Sequence, residues 1–60
     1  MTNDFKRIEI DANLPIADQR NLIQGRLDAI NTENGTVVSS TESFNPDTYM
    51  YNVTIYYTTP

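Results

Sequence analysis

The amino-acid sequence predicts an α+β domain whose elements follow the order β-α-β-β. Residues 6–11 and 49–58 alternate apolar and polar side chains, and a period of two is typical of half-buried strands. Between them, residues 15–32 carry apolar side chains at helical spacing. A turn at residues 45–48, which contains a proline, separates a further strand-like segment from the last one.

The first predicted strand covers residues 6–11. Ile8 and Ile10 alternate there with Arg7 and Glu9, so the two isoleucines are predicted to face the core. Phe5 is out of phase with the isoleucines. We therefore expect its ring to cover the sheet edge or the far face.

The predicted helix begins at Pro15, because proline suits a first helical turn, and it runs to about Thr32. Gly25 costs stability inside a helix, so we expect it to mark a close approach between helix and sheet. Asn34 and Gly35 are predicted to supply the left-handed residue that ends the helix. The apolar side chains predicted to share one helical face are Ile16, Ile23, Leu27 and Ile30.

The last two strands are predicted at residues 36–44 and 49–58, joined as an antiparallel hairpin. The longest and most apolar strand belongs in the centre, which predicts the spatial order 1-3-2. Tyr49, Tyr51, Val53, Ile55 and Tyr57 are predicted to line the face under the helix. One helix covers one face of such a sheet. The opposite face, which carries Met50 and Tyr56, is therefore predicted to stay open.

A chain of 60 residues predicts one domain spanning residues 1–60. Domains of this size bury only about 60% of their unfolded surface, and they usually need a disulfide, a metal or a second subunit. The chain has neither cysteine nor histidine, which excludes disulfides and makes a zinc site a poor fit. The sequence therefore predicts a homodimer. It leaves open whether the copies meet at the open sheet face or at the edge of the second strand.

The charge balance narrows the class of partner. Eight acidic and four basic residues give a net charge of −4. This balance argues against direct binding to nucleic acid or to an anionic membrane, and it suits a basic protein partner. The same charge is equally explained as a means of keeping a small protein soluble. No signal peptide or membrane-spanning segment is recognisable, and the absence of cysteine fits a reducing cytoplasm.

Catalytic chemistry is not expected. Histidine and cysteine, the commonest general base and the best nucleophile, are absent, and the two glycines form no phosphate-binding loop. Glu9 and Asp11 point to the same side of the first strand, but two acids on a solvated strand do not make a metal site. The sequence thus predicts no enzyme activity, no cofactor and no bound metal.

The candidate binding residues are carboxylates and two side chains of the open face. Met50 and Tyr56 belong to residue types that are enriched at protein interfaces. The acidic side chains, doubled in a dimer, would imitate the charge spacing of a DNA backbone. Neutralising Glu9 and Asp11 is predicted to weaken binding and to flatten its salt dependence. The candidate partner-binding acids are Glu9, Asp11, Asp18, Asp28, Glu33, Glu42 and Asp47.

The strand of residues 6–11, the helix from Pro15 and the tyrosine-rich strand near the end together resemble a known class of protein. The layout is similar to very short acidic β-α-β-β proteins of phages and spore-forming bacteria. In particular it resembles phage host-takeover proteins, some of which dimerise and block a nucleoid protein of the HU type. The resemblance implies an inhibitor or adaptor and carries no residue-level role.

Three functions are compatible with the sequence. The first is a non-catalytic protein that inhibits a basic nucleic-acid-binding protein by charge mimicry of DNA. The second is a module that binds a peptide or single-stranded nucleic acid through the open sheet face. The third is a structural subunit that assembles with itself. The first and third need the same dimer and the same acidic rim, so the sequence does not separate them.

Overall fold

The computed structural model describes residues 1–60 and contains four elements in the predicted order. They are strand β1 (Thr2–Asp11), helix α1 (Ile16–Thr32), strand β2 (Thr36–Asn45) and strand β3 (Met50–Thr59). All three strands belong to one antiparallel sheet in the order β1-β3-β2. The predicted α+β fold and strand order are therefore confirmed.

One small apolar core lies between the helix and the sheet. The central strand β3 contributes every second side chain to it, as the alternation predicted. Ile23 and Leu27 of α1 are partly buried against the same cluster. Removing these side chains from water is the main force that holds the helix on the sheet. The buried apolar residues are Ile8, Ile10, Ile30, Val53, Ile55 and Tyr57.

The helix is most deeply buried at its C-terminal end. Ile30 is 1% exposed, whereas Ile16, in the first position of the helix, is 67% exposed. The prediction that Ile16 shares the buried face is therefore wrong. Its angular position suits the core, but burial falls along α1 towards its N-terminus, which indicates that the helix axis diverges from the sheet in that direction.

The helix ends as predicted, at a left-handed residue of the Asn34–Gly35 pair, but the close contact expected at Gly25 occurs at Gly35. Asn34, with φ of 58°, is the left-handed residue after the helix, and Gly35 has a negative φ. A Cβ on Gly35 would meet the Ile30 side chain at 2.6 Å and the Ile30 carbonyl oxygen at 2.9 Å, so the close approach occurs there. A Cβ on Gly25 would meet no atom within 4 Å. The prediction that Gly25 marks close helix–sheet contact is wrong.

Strand β1 begins four residues earlier than predicted. Residues 2–5 lack apolar alternation, but β3 is long enough to pair with them, and Asp4 lies opposite Tyr57. Phe5 lies opposite Tyr56, on the face away from the helix. Of the two expected positions for Phe5, the far face is therefore the correct one.

The hairpin turn includes Tyr49, which was predicted to open the last strand. Tyr49 has φ of 56°, and its carbonyl oxygen accepts a hydrogen bond of 3.0 Å from the Ala12 backbone N–H. The Asn45 side chain also accepts a bond of 3.0 Å from the Asp47 backbone N–H, as turn asparagines do. Closing this turn requires a left-handed residue, and Tyr49 occupies that position instead of an extended one.

Helix α1 leaves one strand uncovered. It packs mainly against β1, and no residue of β2 is buried. Strand β2 is thus exposed on both faces and along its outer edge. This asymmetry decides which surfaces are available to a partner.

Candidate functional site

The predicted acidic residues do not converge on one site. Asp11, Asp18 and Asp47 lie towards the end of the sheet that holds the hairpin turn and the start of α1. Asp11 is also engaged locally, because its carboxylate accepts a hydrogen bond of 2.9 Å from the Asn13 backbone N–H. Glu33 lies at the opposite end. The other predicted acids, on strands β1 and β2 and on the helix, are Glu9, Glu42 and Asp28.

The opposite end holds the one place where two carboxylates share a partner. The Tyr57 hydroxyl donates to Glu33 Oε2 at 2.9 Å, and Asp4 Oδ2 lies 3.4 Å from the same hydroxyl. Lys6 Nζ lies 3.7 Å from Glu33 Oε1 and 5.6 Å from the centre of the Tyr57 ring. This group ties the end of α1 to both β1 and β3. We name Asp4, Lys6, Glu33 and Tyr57 the tyrosine cluster.

Asp4 was not among the predicted site residues. It lies 29 positions before Glu33 in the sequence (33 − 4), and only the pairing of β1 with β3 brings them together. The predicted strand order already contained this signal. Extending β1 by four residues, in register with the end of β3, would have placed Asp4 opposite Tyr57.

The environment of Tyr57 favours its neutral form. Burial raises the pKa of Tyr57 to about 12, with further contributions from its hydrogen bond to Glu33 and from the negative charge of Asp4. An ionised Tyr57 would have lost its donor and would face two carboxylates. The cluster therefore acts as a structural clasp, and Tyr57 is not poised to act as a base near neutral pH.

The tyrosine cluster predicts a loss of stability at alkaline pH. Because the pKa of Tyr57 is raised in the folded protein, the protonated tyrosine stabilises the fold. This stabilisation is complete at pH values below the ordinary tyrosine pKa of about 10, and it is lost as the pH rises through about 12. Denaturant titrations at a series of pH values measure the free energy of unfolding. Tyr57→Phe should have a lower free energy of unfolding than the wild type at neutral pH. Between about pH 10 and 12, the free energy of unfolding should fall less for Tyr57→Phe than for the wild type. Tyr56→Phe, exposed on the other face, should follow the wild type. Equal alkaline slopes for wild type and Tyr57→Phe would contradict this role.

Net negative charge is confined to the second part of the chain. Residues 1–26 contain four basic and four acidic side chains, so their formal charges cancel (4 − 4 = 0). Residues 27–60 contain four acidic side chains and no basic one, which accounts for the whole net charge of −4. We call residues 27–60 the base-free segment. Its acids are Asp28, Glu33, Glu42 and Asp47.

Three of these four acids have no basic partner. The one salt bridge in the structure joins Lys6 to Glu33. Asp28 accepts a hydrogen bond of 2.9 Å from the Gln24 side-chain amide, and Glu42 and Asp47 are exposed. The negative charge of an unpaired surface carboxylate is not neutralised within the protein, so it can attract a basic partner. The unbalanced charge of the base-free segment is therefore carried at separate places, on α1, on β2 and at the two ends of the sheet.

The sheet face away from the helix is mostly polar. Tyr56 is 42% exposed there and packs against Phe5, with ring centres 6.3 Å apart. Met50 is half-buried and lies near the other end of β3, opposite Asp11. The two predicted contact residues are six positions apart, about 20 Å along a strand, so they do not form one apolar surface. Between them lies a shallow polar depression lined by Arg7, Thr41, Glu42, Ser43, Asn52 and Thr54.

The larger aromatic surface lies on the helix side, beside β2. The Phe44 ring centre lies 4.9 Å from that of Tyr51 and 5.3 Å from that of Tyr49. All three side chains are at least 36% exposed. Tyr49 and Tyr51 were predicted to pack under the helix, and this is wrong: both are exposed at the turn end of the sheet, where α1 is least buried. We call Phe44, Tyr49 and Tyr51 the aromatic cluster.

The carboxylates are too dispersed to make an obvious metal site. No three acidic side chains come together in a way that could hold a metal ion. Glu9 and Asp11 lie on the same strand face, opposite Asn52 and Met50, and no further carboxylate joins them. The hydroxyl-bearing residues of β2 have no histidine beside them that could activate them, since the chain contains none.

Comparisons with protein-family models, with curated proteins and with solved structures found no match to this chain. The helix α1 is neither long nor apolar enough to cross a membrane.

Proposed function

We propose that this chain is a non-catalytic, cytoplasmic interaction protein whose acidic surface binds a basic protein. In its most specific form the proposal is inhibition of a nucleic-acid-binding protein by charge mimicry of DNA. The observation that carries it is the base-free segment, which contains four acidic residues and no basic residue to balance them. The single salt bridge neutralises one of the four, so most of that charge is free to meet a partner.

Charge mimicry of DNA depends on the spacing of the negative charges as well as on their sign. Duplex DNA presents one negative charge per about 1.7 Å of its axis, far more densely than this surface does. The longest dimension of the chain is 38 Å, and the proposed acids are distributed over both of its ends. Such an arrangement matches a few well-separated cationic side chains of a DNA-binding surface. Long-range attraction would then accelerate association, and added salt would weaken it.

The resemblance to phage host-takeover proteins points to a nucleoid protein of the HU type as the first partner to test. A second candidate function, binding of single-stranded nucleic acid, is favoured by the Phe5–Tyr56 ring pair on the same face as Arg7. Aromatic side chains stack on exposed bases. However, Arg7 is the one basic residue on that face, so phosphate neutralisation would contribute little.

A charge-matched affinity capture tests the proposal. Three tagged baits are incubated with a bacterial lysate: the wild type, the double variant Asp28→Asn/Asp47→Asn and the double variant Arg20→Gln/Arg26→Gln. The bound proteins are then washed at increasing salt concentration. The proposal predicts that the wild type retains a basic DNA-binding protein, which salt releases. The double aspartate variant should release it at lower salt, and the double arginine variant at higher salt. All four substituted residues are exposed, so folding should be retained.

Three outcomes would contradict the proposal. The first is a partner that all three baits retain equally at every salt concentration, because its binding would not depend on the acidic charge. The second is recovery of single-stranded nucleic acid in place of a basic protein, which would favour the open sheet face. The third is recovery of the bait alone, which would favour self-assembly as the whole function.

A further inference from the structure

The chain is less compact than a typical domain of the same length. Its radius of gyration is 12.4 Å, whereas a compact domain of this length has about 10 Å. Its accessible surface is 4379 Å², compared with roughly 4,000 Å² for a typical monomer of this mass. The molecule is a slab of 38 × 20 × 11 Å. This flat shape leaves surface that a second copy would cover.

The two edges of the sheet differ sharply in charge. Strand β1 carries five charged side chains in ten residues, namely Asp4, Lys6, Arg7, Glu9 and Asp11. Strand β2 carries one in ten, Glu42. Charged side chains are a usual means of preventing an edge strand from pairing with another chain. Edge β1 has this protection, and edge β2 lacks it.

A β-bulge between Val37 and Ser39 interrupts β2 near its start. Bulges also discourage edge pairing. This one leaves residues 39–45 in unbroken register with β3. The strand therefore retains a regular, nearly uncharged edge of seven residues, with no proline or lysine in it.

We propose that a second copy of this chain pairs antiparallel with β2, so that the two sheets join into one six-stranded sheet. The pairing would satisfy the backbone N–H and C=O groups that the free edge presents to water. A two-fold axis perpendicular to the sheet relates the copies and leaves both helices on the same side. The dimer stands independently of whether the acidic surface binds a basic protein.

The sequence of β2 selects a register for this pairing. Opposed residues of an antiparallel pair lie on the same face, so each copy meets the other at an identical residue on the axis. An axis at Glu42 would oppose two like charges, which is destabilising. An axis at Thr41 places Thr41 opposite Thr41, Ser40 opposite Glu42, and Ser39 opposite Ser43. It also centres the pairing on residues 37–45, which uses most of the strand.

The same register covers apolar side chains that the monomer leaves in water. Phe44 of one copy comes beside the bulged segment of the second, where Val37 and Val38 are 46% and 66% exposed. Phe44 itself is 42% exposed and belongs to the aromatic cluster. The open sheet face offers no comparable surface, because Met50 and Tyr56 lie at opposite ends with polar side chains between them.

Cysteine cross-linking tests the register directly, since the chain has no cysteine of its own. Across the proposed axis the two Thr41 Cα atoms lie about 4.5–5.5 Å apart, which suits a disulfide. The two Ser43 Cα atoms, on the same strand and face, lie about 13 Å apart. Mild oxidation should therefore convert most of Thr41→Cys to a covalent dimer with unchanged circular dichroism, and little of Ser43→Cys. Equal cross-linking of the two, or preference for Ser43→Cys, would overturn the register.

A second measurement tests the interface without cross-linking. Sedimentation should give the wild type about twice its monomer mass of 6.8 kDa. Thr41→Lys places two positive charges at the axis and should give a folded monomer, whereas Thr41→Val should remain dimeric. A wild type that is monomeric at every concentration would overturn the proposal, as would a Thr41→Lys variant that stays dimeric. Either result would mean that the edge of β2 pairs with a strand of a different protein or stays unpaired.

Discussion

Replacing Ile30 with alanine is expected to unfold a large fraction of the protein at room temperature. Ile30 is 1% exposed and is the only fully buried side chain of the helix. Truncating a buried isoleucine to alanine costs about 2–5 kcal/mol. The total stability typical of 60 residues is only about 3–9 kcal/mol. With a core of six apolar side chains, no neighbouring cluster can compensate for the loss.

Ile16→Ala is the matched control, because it makes the same chemical change in the same helix. Ile16 is 67% exposed, so its replacement should change the free energy of unfolding by less than about 0.5 kcal/mol. Urea titrations followed by circular dichroism, at one fixed protein concentration, measure both variants. Equal losses for Ile16→Ala and Ile30→Ala would contradict the assignment of the helix C-terminal end as the anchor on the sheet.

The second large effect concerns the two glycines. Gly35→Ala should destabilise the protein by about 1–3 kcal/mol, the usual range for forcing an extra methyl group into a packed region. The added Cβ would lie 2.9 Å from the Ile30 carbonyl oxygen and 2.9 Å from the Tyr57 ring, and neither the backbone nor the buried ring can move aside easily. The damage would reach the tyrosine cluster as well, since Tyr57 holds Glu33.

Gly25→Ala is expected to have the opposite sign. No atom lies within 4 Å of the position its Cβ would take, and alanine is favoured over glycine inside a helix by about 0.5–1 kcal/mol. Denaturant midpoints of the two variants, measured beside the wild type, should therefore fall on either side of it. If Gly25→Ala were the more damaging substitution, the assignment of the close contact to Gly35 would be contradicted.

The strands were predictable from the sequence because their signal is local. The alternation in residues 49–58 identified the central strand, and a short turn with Pro46 indicated the hairpin. The strand order followed from these two observations. By contrast, residues 2–5 carry no alternation, and they become part of β1 because the end of β3 offers them a pairing partner. Such an extension depends on tertiary context, which local patterns do not contain.

The errors in the helix and the aromatic residues share one cause. Helical spacing correctly placed Ile16 and Ile30 on one face, but spacing does not contain the tilt of the helix over the sheet. The same tilt and offset leave Tyr51 exposed beside β2 instead of buried under α1. The error at Gly25 has a different cause, because two positions from both Ile23 and Leu27 place it on the far side of the helix from the core. Sequence periodicity specifies faces, and packing specifies which part of a face is used.

The seven candidate acids are all exposed, and their role in binding a partner stays a prediction. What the structure adds is their distribution. Asp11, Asp18 and Asp47 lie towards the turn end, and Glu33 is held by Tyr57 and Lys6 at the other. Neutralising Glu33 would thus disturb folding as well as charge, so it is a poor probe of binding. Asp28 and Asp47, which make only local contacts, separate the two effects.

If this acidic surface takes the place of DNA on a basic protein, as we propose, the chain should displace DNA from that protein, and a titration measures the displacement. Fluorescently labelled duplex DNA is bound to a purified nucleoid protein of the HU type, and the wild-type chain is added while anisotropy is recorded. The proposal predicts release of the DNA, less release with Asp28→Asn/Asp47→Asn, and progressively less as salt is raised. DNA that stays bound at every concentration of the chain, or release that is the same for both proteins, would contradict it.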